Sequence, residues 1–420
     1  MRPSQGDQEL LSADSERRLL TALKPRLHAF DDEALNAEPT AALLDDFITP
    51  VEHFFVRNNG RLPPEHAGDP DTWTLKIDGE VERAASFSVA ALRAQFETVS
   101  VTAVLECAGY GRDAFDPPVE GVPWGRGPVG CARWTGVRLG DVLKACGVQR
   151  PAVYTAHHSN DLQTDANEPA ISRGIPIAKA MSPETLLAFE MNGEPLPFLH
   201  GGPLRVVAPG FPGSAWQKWL TRLELRDREH DGEKMNGTDY RLPRRRVAPG
   251  EPIDESNFAV IVDMPVNSII TAPREGFAAR GGKLDVRGFA WSGHVPVRSV
   301  EVSTDGERWV SAKLEQIPFR LTHSAHSRAS GNPASGSPLS RGRAEVDSTL
   351  AEHALAEEMD RFAWRRFRAS LEVPGEPITV MARATDAEER TQPFEAPWNP
   401  RGYCNNGVHR VRGMLSPQTR

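Results

Sequence analysis

Long apolar runs are missing from this 420-residue chain. Nothing approaches the roughly 20 consecutive apolar residues a helix needs to span a bilayer, so no membrane segment is expected. Cysteine is scarce and scattered: Cys107, Cys131, Cys146 and Cys404 form no CxxC pair, which disfavours a zinc ribbon or a dithiol redox centre and leaves reduced thiols as the default. A basic excess is absent as well. The formal net charge of -8 argues against nucleic acid or an anionic membrane as a general partner, so any anion site has to be a local basic cluster. A secretory leader is not visible either, because the Leu-Leu-Thr-Ala-Leu run after Arg17 and Arg18 is stopped by Lys24, Pro25 and Arg26; a cytoplasmic location is expected.

What is present fits a soluble globular protein, with 39% hydrophobic and 25% charged residues. Its length exceeds what one core fills efficiently, which points to two domains. Residues 1–48 are polar and helix-compatible and read as an N-terminal arm. From about 50 to 235 helical and strand patterns alternate, as in an α+β or mixed α/β domain. Val137 to Cys146, closed by Gly147, reads as a short helix. Ser182-Pro183-Glu184 reads as the start of another, since serine caps and proline fits a first turn. Beyond about 260 the period becomes two: Ile378, Val380, Ala382 and Ala384 alternate with Thr379, Met381, Arg383 and Thr385. With Val300 and Val302 ahead of an Asp305-Gly306 turn, this predicts an antiparallel β-sandwich. The Ser, Gly, Pro and Arg rich stretch at 318–360 buries little apolar surface and reads as a disordered insertion between two strands.

The chemistry-bearing pattern begins at LECAGYGR, 105–112, where Cys107 follows the strand-like VSVTAVLE and precedes a glycine turn. A thiolate at a strand end is placed to hold a soft metal, although a lone cysteine is more often a small buried hydrophobe. Two other patterns carry less. GRGPVG at 125–130 fits GxGxxG but follows no buried strand and opens no helix, so a dinucleotide fold is rejected. His157 and His158 are adjacent and cannot share one strand face.

Set beside HFFVRNNG (53–60), VPWGRGPVGCARWTGVRLGDVL (122–143), LLAFEMNGEPLPFLHGGPLRVVAPG (186–210), QKWL (217–220) and WNPRGYCNNGVHRV (398–411), the cysteine motif resembles the sulfite oxidase family. The resemblance implies a mixed α/β molybdopterin-binding domain of the sulfite oxidase fold at 49–245. An immunoglobulin-like antiparallel β-sandwich dimerisation domain would follow at 255–415. It implies one Mo-molybdopterin per chain with Cys107 as the metal ligand. Arg57, Arg112 and Arg401 would surround a small oxyanion, with Trp124 as an aromatic wall and Tyr240 as the active-site tyrosine. The pterin would be held by Phe55, Val56, Arg57, Asn58, Asn59, His200, Arg205, Trp216, Gln217 and Lys218, with Asp161 and Arg173 as further contacts.

The implied reaction is oxidation of sulfite to sulfate in a homodimer, electrons passing to an external acceptor such as a c-type cytochrome. No haem module is seen ahead of residue 50, so the chain is expected to resemble the haem-free members. Asn59 stands where many relatives have histidine, and Cys131 where threonine is common. Alternatives are nitrate reduction or sulfane-sulfur oxidation on the same scaffold, or a binding protein of this fold without catalysis. The residues support the family reading by themselves: a dianion calls for several guanidinium forks, and three arginines from distant segments supply them.

Overall fold

The computed structural model describes residues 11–31, 33–64, 69–163, 168–279, 282–315, 361–373 and 378–415. The main core gathers on two sheets. In the first, Arg205–Val207, Leu186–Met191, Val129–Arg138 and Thr98–Glu106 lie side by side, all antiparallel, with the short Glu194–Pro195 paired onto Leu186–Met191. The second runs Ala85–Ser88, Thr74–Gly79, Leu220–Arg226 and Tyr154–Ser159, where only Leu220–Arg226 against Thr74–Gly79 is parallel. The expected short helix is present as Leu139–Cys146, and Gly147 ends it at φ 76°, a left-handed conformation that glycine adopts without a Cβ penalty. His157 is fully buried while His158 on the same strand is half-exposed, as alternation demands.

The helix expected after Ser182 is not formed. Leu186–Met191 is instead a strand with partners on both sides, Val129–Arg138 and Arg205–Val207. Nearly every residue of it is buried, so it shows no alternation, and its apolar run is ambiguous between helix and strand. The supposed cap works backwards: Ser182 Oγ donates to the Ala178 carbonyl at 3.2 Å, closing the preceding turn. Glu184 leaves the chain direction for a buried ion pair with Lys179 (2.9 Å), joined by Arg361 at 3.0 Å.

Beyond residue 260 two sheets face each other. One holds Asn267–Ala272, Lys283–Trp291, Arg365–Glu372 and Lys313–Glu315; the other holds Phe277–Ala279, His409–Leu415, Ile378–Asp386, Val297–Ser303 and Val310–Ser311. All pairs are antiparallel except Phe277–Ala279 with His409–Leu415. Val286, Phe367, Val300, Val302, Val380 and Ala382 fill the space between, so the period-two reading holds. The 318–360 stretch lies outside the described residues; the strands on either side of it, Lys313–Glu315 and Arg365–Glu372, pair with each other.

The N-terminal segment packs into the main core through Leu20, Leu35 and Ala37. Its helix, Ala13–Leu23, is capped by Ser12, whose hydroxyl accepts from Ser15 N. From that helix the buried Glu16 accepts from Leu62 N at 2.8 Å and Arg61 Nε at 3.1 Å, while Lys24 Nζ donates to the carbonyls of Val51 and Phe54. Farther along, Asp45 accepts from Thr271 Oγ1 and Arg287 Nε of the sandwich. No helix among the described residues is long and apolar enough to cross a membrane.

Candidate active site

Cys107 is the first residue past the Thr98–Glu106 strand. Its N–H donates to Pro128 O at 3.0 Å and its carbonyl accepts from Tyr110 N at 3.0 Å, which fixes the turn that follows. Behind it, the buried Glu106 accepts from Trp291 Nε1 at 2.8 Å and Asn267 Nδ2 at 3.2 Å, both on sandwich strands. Burial pushes the Cys107 thiol up, while Arg57, the Gly109 N–H and Arg112 pull the other way. A thiolate there is therefore favoured by a cationic partner or a metal.

The thiol sits where two cavities meet. An inner slot and a wider outer bowl, both partly open to solvent, share Arg57, Asn59, Cys107 and Tyr240 as lining residues. Lining the inner slot are also Phe55, Asn58, Asp161, His200, Arg205, Trp216, Gln217 and Lys218. Arg205 opens the Arg205–Val207 strand, and its guanidinium donates to His200 O (2.7 Å) and Trp216 O (2.8 Å) beside the Trp134 and Trp216 rings. Lys218 Nζ donates to Asn58 Oδ1 and to Leu199 O, 4.1 Å from the Trp219 ring centre. Asp161 accepts from Ser159 Oγ at 2.5 Å, and Ser159 in turn accepts from Gln217 Nε2 at 2.6 Å. Burial, and after it Lys24, Arg205 and Lys218, holds His200 well below the ordinary imidazole range, so its ring is neutral.

Arg112, Trp124 and Arg401 line the outer bowl, together with Arg57, Cys107 and Tyr240. Arg57 donates to Asn36 Oδ1 at 3.2 Å and to Asn59 Oδ1 at 2.9 Å. The Tyr240 hydroxyl donates to that same Asn59 oxygen at 3.0 Å. Arg112 donates through Nε to Arg401 O at 3.1 Å and through Nη1 to Val122 O at 3.0 Å. Arg401 pairs with Asp239. Tyr240, at φ 51°, stacks on Tyr403 with ring centres 5.4 Å apart, and the Arg173 guanidinium lies 5.0 Å from its ring. Phe30 and Phe55 meet the Trp124 ring edge-on at 4.8 and 6.4 Å.

Two residues expected at the cofactor line neither cavity. Val56 is fully buried and bridges backbone-to-backbone to Ala37, because alternation along the segment turns it away from Phe55 and Arg57. Arg173 is also fully buried; it donates to Lys234 O at 2.7 Å and braces Tyr240 from behind. Residues not singled out from sequence include Asn36, Ser214, Lys234, Asp239 and Tyr403. Tyr403 had a signal, lying two residues after Arg401 in the same motif. Asn36 had none, since it works through a contact 21 residues away.

The donor set fits an organic cofactor carrying a metal better than a bare ion. Among the described residues no group of three or more His, Cys, Asp and Glu could hold a metal, so a metal at Cys107 needs ligands from another molecule. In the inner slot, His200 Nε2 and Ser214 Oγ are buried without a hydrogen-bond partner, a state buried polar atoms rarely keep. With Arg57 and Arg205 as cations, Lys218 as a buried amine held well below the lysine range by its burial and ready to take a proton beside an anion, and Phe55 and Trp216 as aromatic surface, the slot suits a flat heterocycle bearing an anionic group.

Comparison with known proteins matches residues 60–234 to the oxidoreductase molybdopterin binding domain and residues 258–414 to the Mo-co oxidoreductase dimerisation domain. Sulfite oxidase of Gallus gallus is 34% identical over 397 residues, covering 92% of this chain and 77% of that protein. Mitochondrial sulfite oxidase of Homo sapiens is 33% identical over 408 residues, covering 94% of this chain; the chain spans 66% of that relative's length. Nitrate reductase [NAD(P)H] of Hordeum vulgare is 32% identical over 306 residues, covering 68% of this chain and 34% of that protein. Among solved structures, sulfane dehydrogenase SoxCD from Paracoccus pantotrophus shares the fold, with a TM-score of 0.69 at 21% identity, over 98% of this chain and 93% of that one.

Proposed function

This chain belongs to the sulfite oxidase family of molybdopterin-dependent oxidoreductases, and from that premise we propose that it oxidises sulfite to sulfate and passes two electrons to an external acceptor. One observation carries the reading: Arg57, Arg112 and Arg401, from three distant segments, line one bowl together with Cys107 and Tyr240. Guanidinium groups bind oxyanions through paired charge-assisted hydrogen bonds, and a bowl partly shielded from water strengthens each of them.

Residues of the inner slot would hold one Mo-molybdopterin per chain. His200 Nε2 and Ser214 Oγ offer unmet hydrogen bonds, Arg57 and Arg205 offer charge, Lys218 offers a donor, and Cys107 offers the thiolate to the metal. When bound, that cofactor supplies the two-electron oxygen-transfer chemistry. The chain itself draws the anion in with its arginines, orients it against Trp124, and places the Tyr240 hydroxyl, anchored on Asn59, at the edge of both cavities. Two chains would associate through the sandwich, in line with the dimerisation model matched there.

Nitrate and sulfane sulfur are the competing substrates, given the relatives that act on them by name. Arg401 favours sulfite, since a planar monoanion needs fewer cationic forks than sulfite or the departing sulfate. The test is metal and pterin analysis of the purified protein followed by steady-state assays with ferricyanide. About one molybdenum per chain and sulfite-dependent reduction are expected; faster nitrate reduction than sulfite oxidation would overturn the substrate.

A further inference from the structure

Both walls of the outer bowl are fastened to residues 36–38 of the N-terminal segment. Asn36 Oδ1 accepts from Arg57 Nη1 at 3.2 Å and from Asn58 N at 2.9 Å. Ala37 and Val56 exchange two backbone hydrogen bonds of 2.9 Å. Across the bowl, Glu38 accepts from Gly125 N through Oε1 and from Gly127 N through Oε2, both at 3.0 Å. Gly125 directly follows Trp124 and Gly127 lies two residues further on, and Gly125 O in turn accepts from Gly111 N in the cysteine loop at 2.8 Å.

This approach is built for contact with backbone. A Cβ on Gly127 would lie 2.1 Å from Pro39 O and 2.8 Å from Glu38 Cβ, so only glycine lets the segments meet. We propose that Glu38 is a positioning residue: its carboxylate latches the Trp124 loop to the segment holding Arg57, and so sets the width of the bowl and its affinity for an anionic substrate. Each of the two carboxylate oxygens takes one N–H, an arrangement that neither a shorter nor a neutral side chain reproduces.

The latch is sensitive to pH. Burial raises Glu38 to about 7, against the pull of the Gly125 and Gly127 N–H groups, and Asp113 across the loop adds to the rise. The other charged and titratable neighbours are Arg126 in the latched loop, the buried Tyr110 of the cysteine loop, and the exposed His28, register partner of Glu38 in the short ribbon. Protonation puts a hydrogen on one of the two accepting oxygens and weakens one arm of the latch. The Gly125 and Gly127 N–H bonds hold Glu38 down against its burial, so a loop displaced while the carboxyl stays enclosed binds the proton more tightly; acidification should therefore loosen the loop, and a variant without the carboxyl should lack that response.

The test uses the full-length, cofactor-loaded protein with Glu38→Ala and Glu38→Gln, the latter keeping the side chain's bulk should the former fold poorly. Hydrogen exchange followed by mass spectrometry on peptides covering 122–130 should show faster exchange in both variants at neutral pH. The KM for sulfite should rise roughly ten-fold in the alanine variant, for the loss of two charge-assisted bonds, with kcat changed far less. The ratio of variant to wild-type KM cancels the substrate's own titration, and it should fall toward one as the pH drops through about 7.

Unchanged exchange in 122–130 overturns the latch. So does faster exchange with an unchanged KM, or with a KM ratio that is flat in pH. This proposal rests on the sulfite reading only in its kinetic arm. If the wild type fails to oxidise sulfite, that reading falls, while the exchange experiment and sulfate binding by calorimetry still decide the latch.

Discussion

Asn59 places two donors on one oxygen, Arg57 Nη2 at 2.9 Å and the Tyr240 hydroxyl at 3.0 Å. Removing it in Asn59→Ala takes one of Arg57's two amide acceptors and the Tyr240 acceptor away at once, so kcat/KM for sulfite should fall by roughly 10-fold to 100-fold, as expected when one half-buried acceptor of two donors is lost. Pterin content should stay near normal; a variant with unaltered kinetics would show that neither donor needs anchoring. Cys107→Ser should abolish turnover yet leave much of the pterin bound, because His200, Ser214, Arg205 and Lys218 belong to other segments. Turnover close to wild type would remove the thiolate from the mechanism. Arg401→Met should raise the sulfite KM by roughly 10-fold to 100-fold, since one charge-assisted partner is lost and Asp239 is left facing the bowl with only Lys234, 3.6 Å away, as counter-ion. Sulfate inhibition should weaken in parallel, and a KM that stays put would argue for a substrate of lower charge. At this scale the sequence was readable wherever a motif carries a residue to a cavity wall, as at Cys107, Arg57 and His200. It was silent at Asn36 and Glu38, whose partners lie 21 and 87 or more residues away and are partly backbone N–H groups that no side-chain pattern encodes.

Strands buried on one face announced themselves, and strands buried on both did not. Ile378–Asp386 alternates because one side meets the sandwich core, which made it legible. Leu186–Met191 is covered almost throughout, and the local Ser-Pro-Glu signal was outweighed by hydrogen-bond ladders to two neighbours. The same close packing makes a sharp test at Gly136, where Val129–Arg138 shifts register against Leu186–Met191. A Cβ there would sit 2.1 Å from Leu187 O and 2.7 Å from Ala188 Cα, both backbone. Gly136→Ala should destabilise the protein by about 1–3 kcal/mol, the range for forced overpacking, measured as a lower urea midpoint at unchanged slope. An unaltered midpoint would mean the sheet opens there without cost.

For the whole molecule, buried titratable groups divide into two sets with opposite signs. His157 and His409 are pushed down to about 3 and His230 to about 4, in each case chiefly by burial. Their neutral forms stabilise the fold above an unfolded value of 6.5, and that contribution is lost as the pH falls from there toward 4. Glu38 and Glu106, raised by burial to about 7 and about 8 from 4.5, favour the protonated fold, so their contribution is lost as the pH rises through those values. Between 4.5 and 6.5 these histidines, joined by His158 and His200, oppose the glutamates; above 6.5 Lys24, pushed down to about 7 by burial, takes the histidines' side. The Tm difference between the wild type and a His157→Gln variant should therefore shrink as the pH falls from 6.5 to 5, and a difference that stays constant would contradict the histidine contribution.

The loop after Cys107 is also tied to the far end of the chain: Cys404 N donates to Ala108 O at 2.8 Å, Asn405 Nδ2 to Gly111 O at 2.8 Å, and Arg112 Nε to Arg401 O at 3.1 Å. During synthesis the strand that presents the thiol leaves the ribosome well before the residues that close its loop, which lie 289 and 294 positions further on. Contacts of such sequence separation form late. A nascent chain stalled before residue 399 would carry the cysteine strand with an unclosed loop, so the centre matures only after residues 401–405 are made.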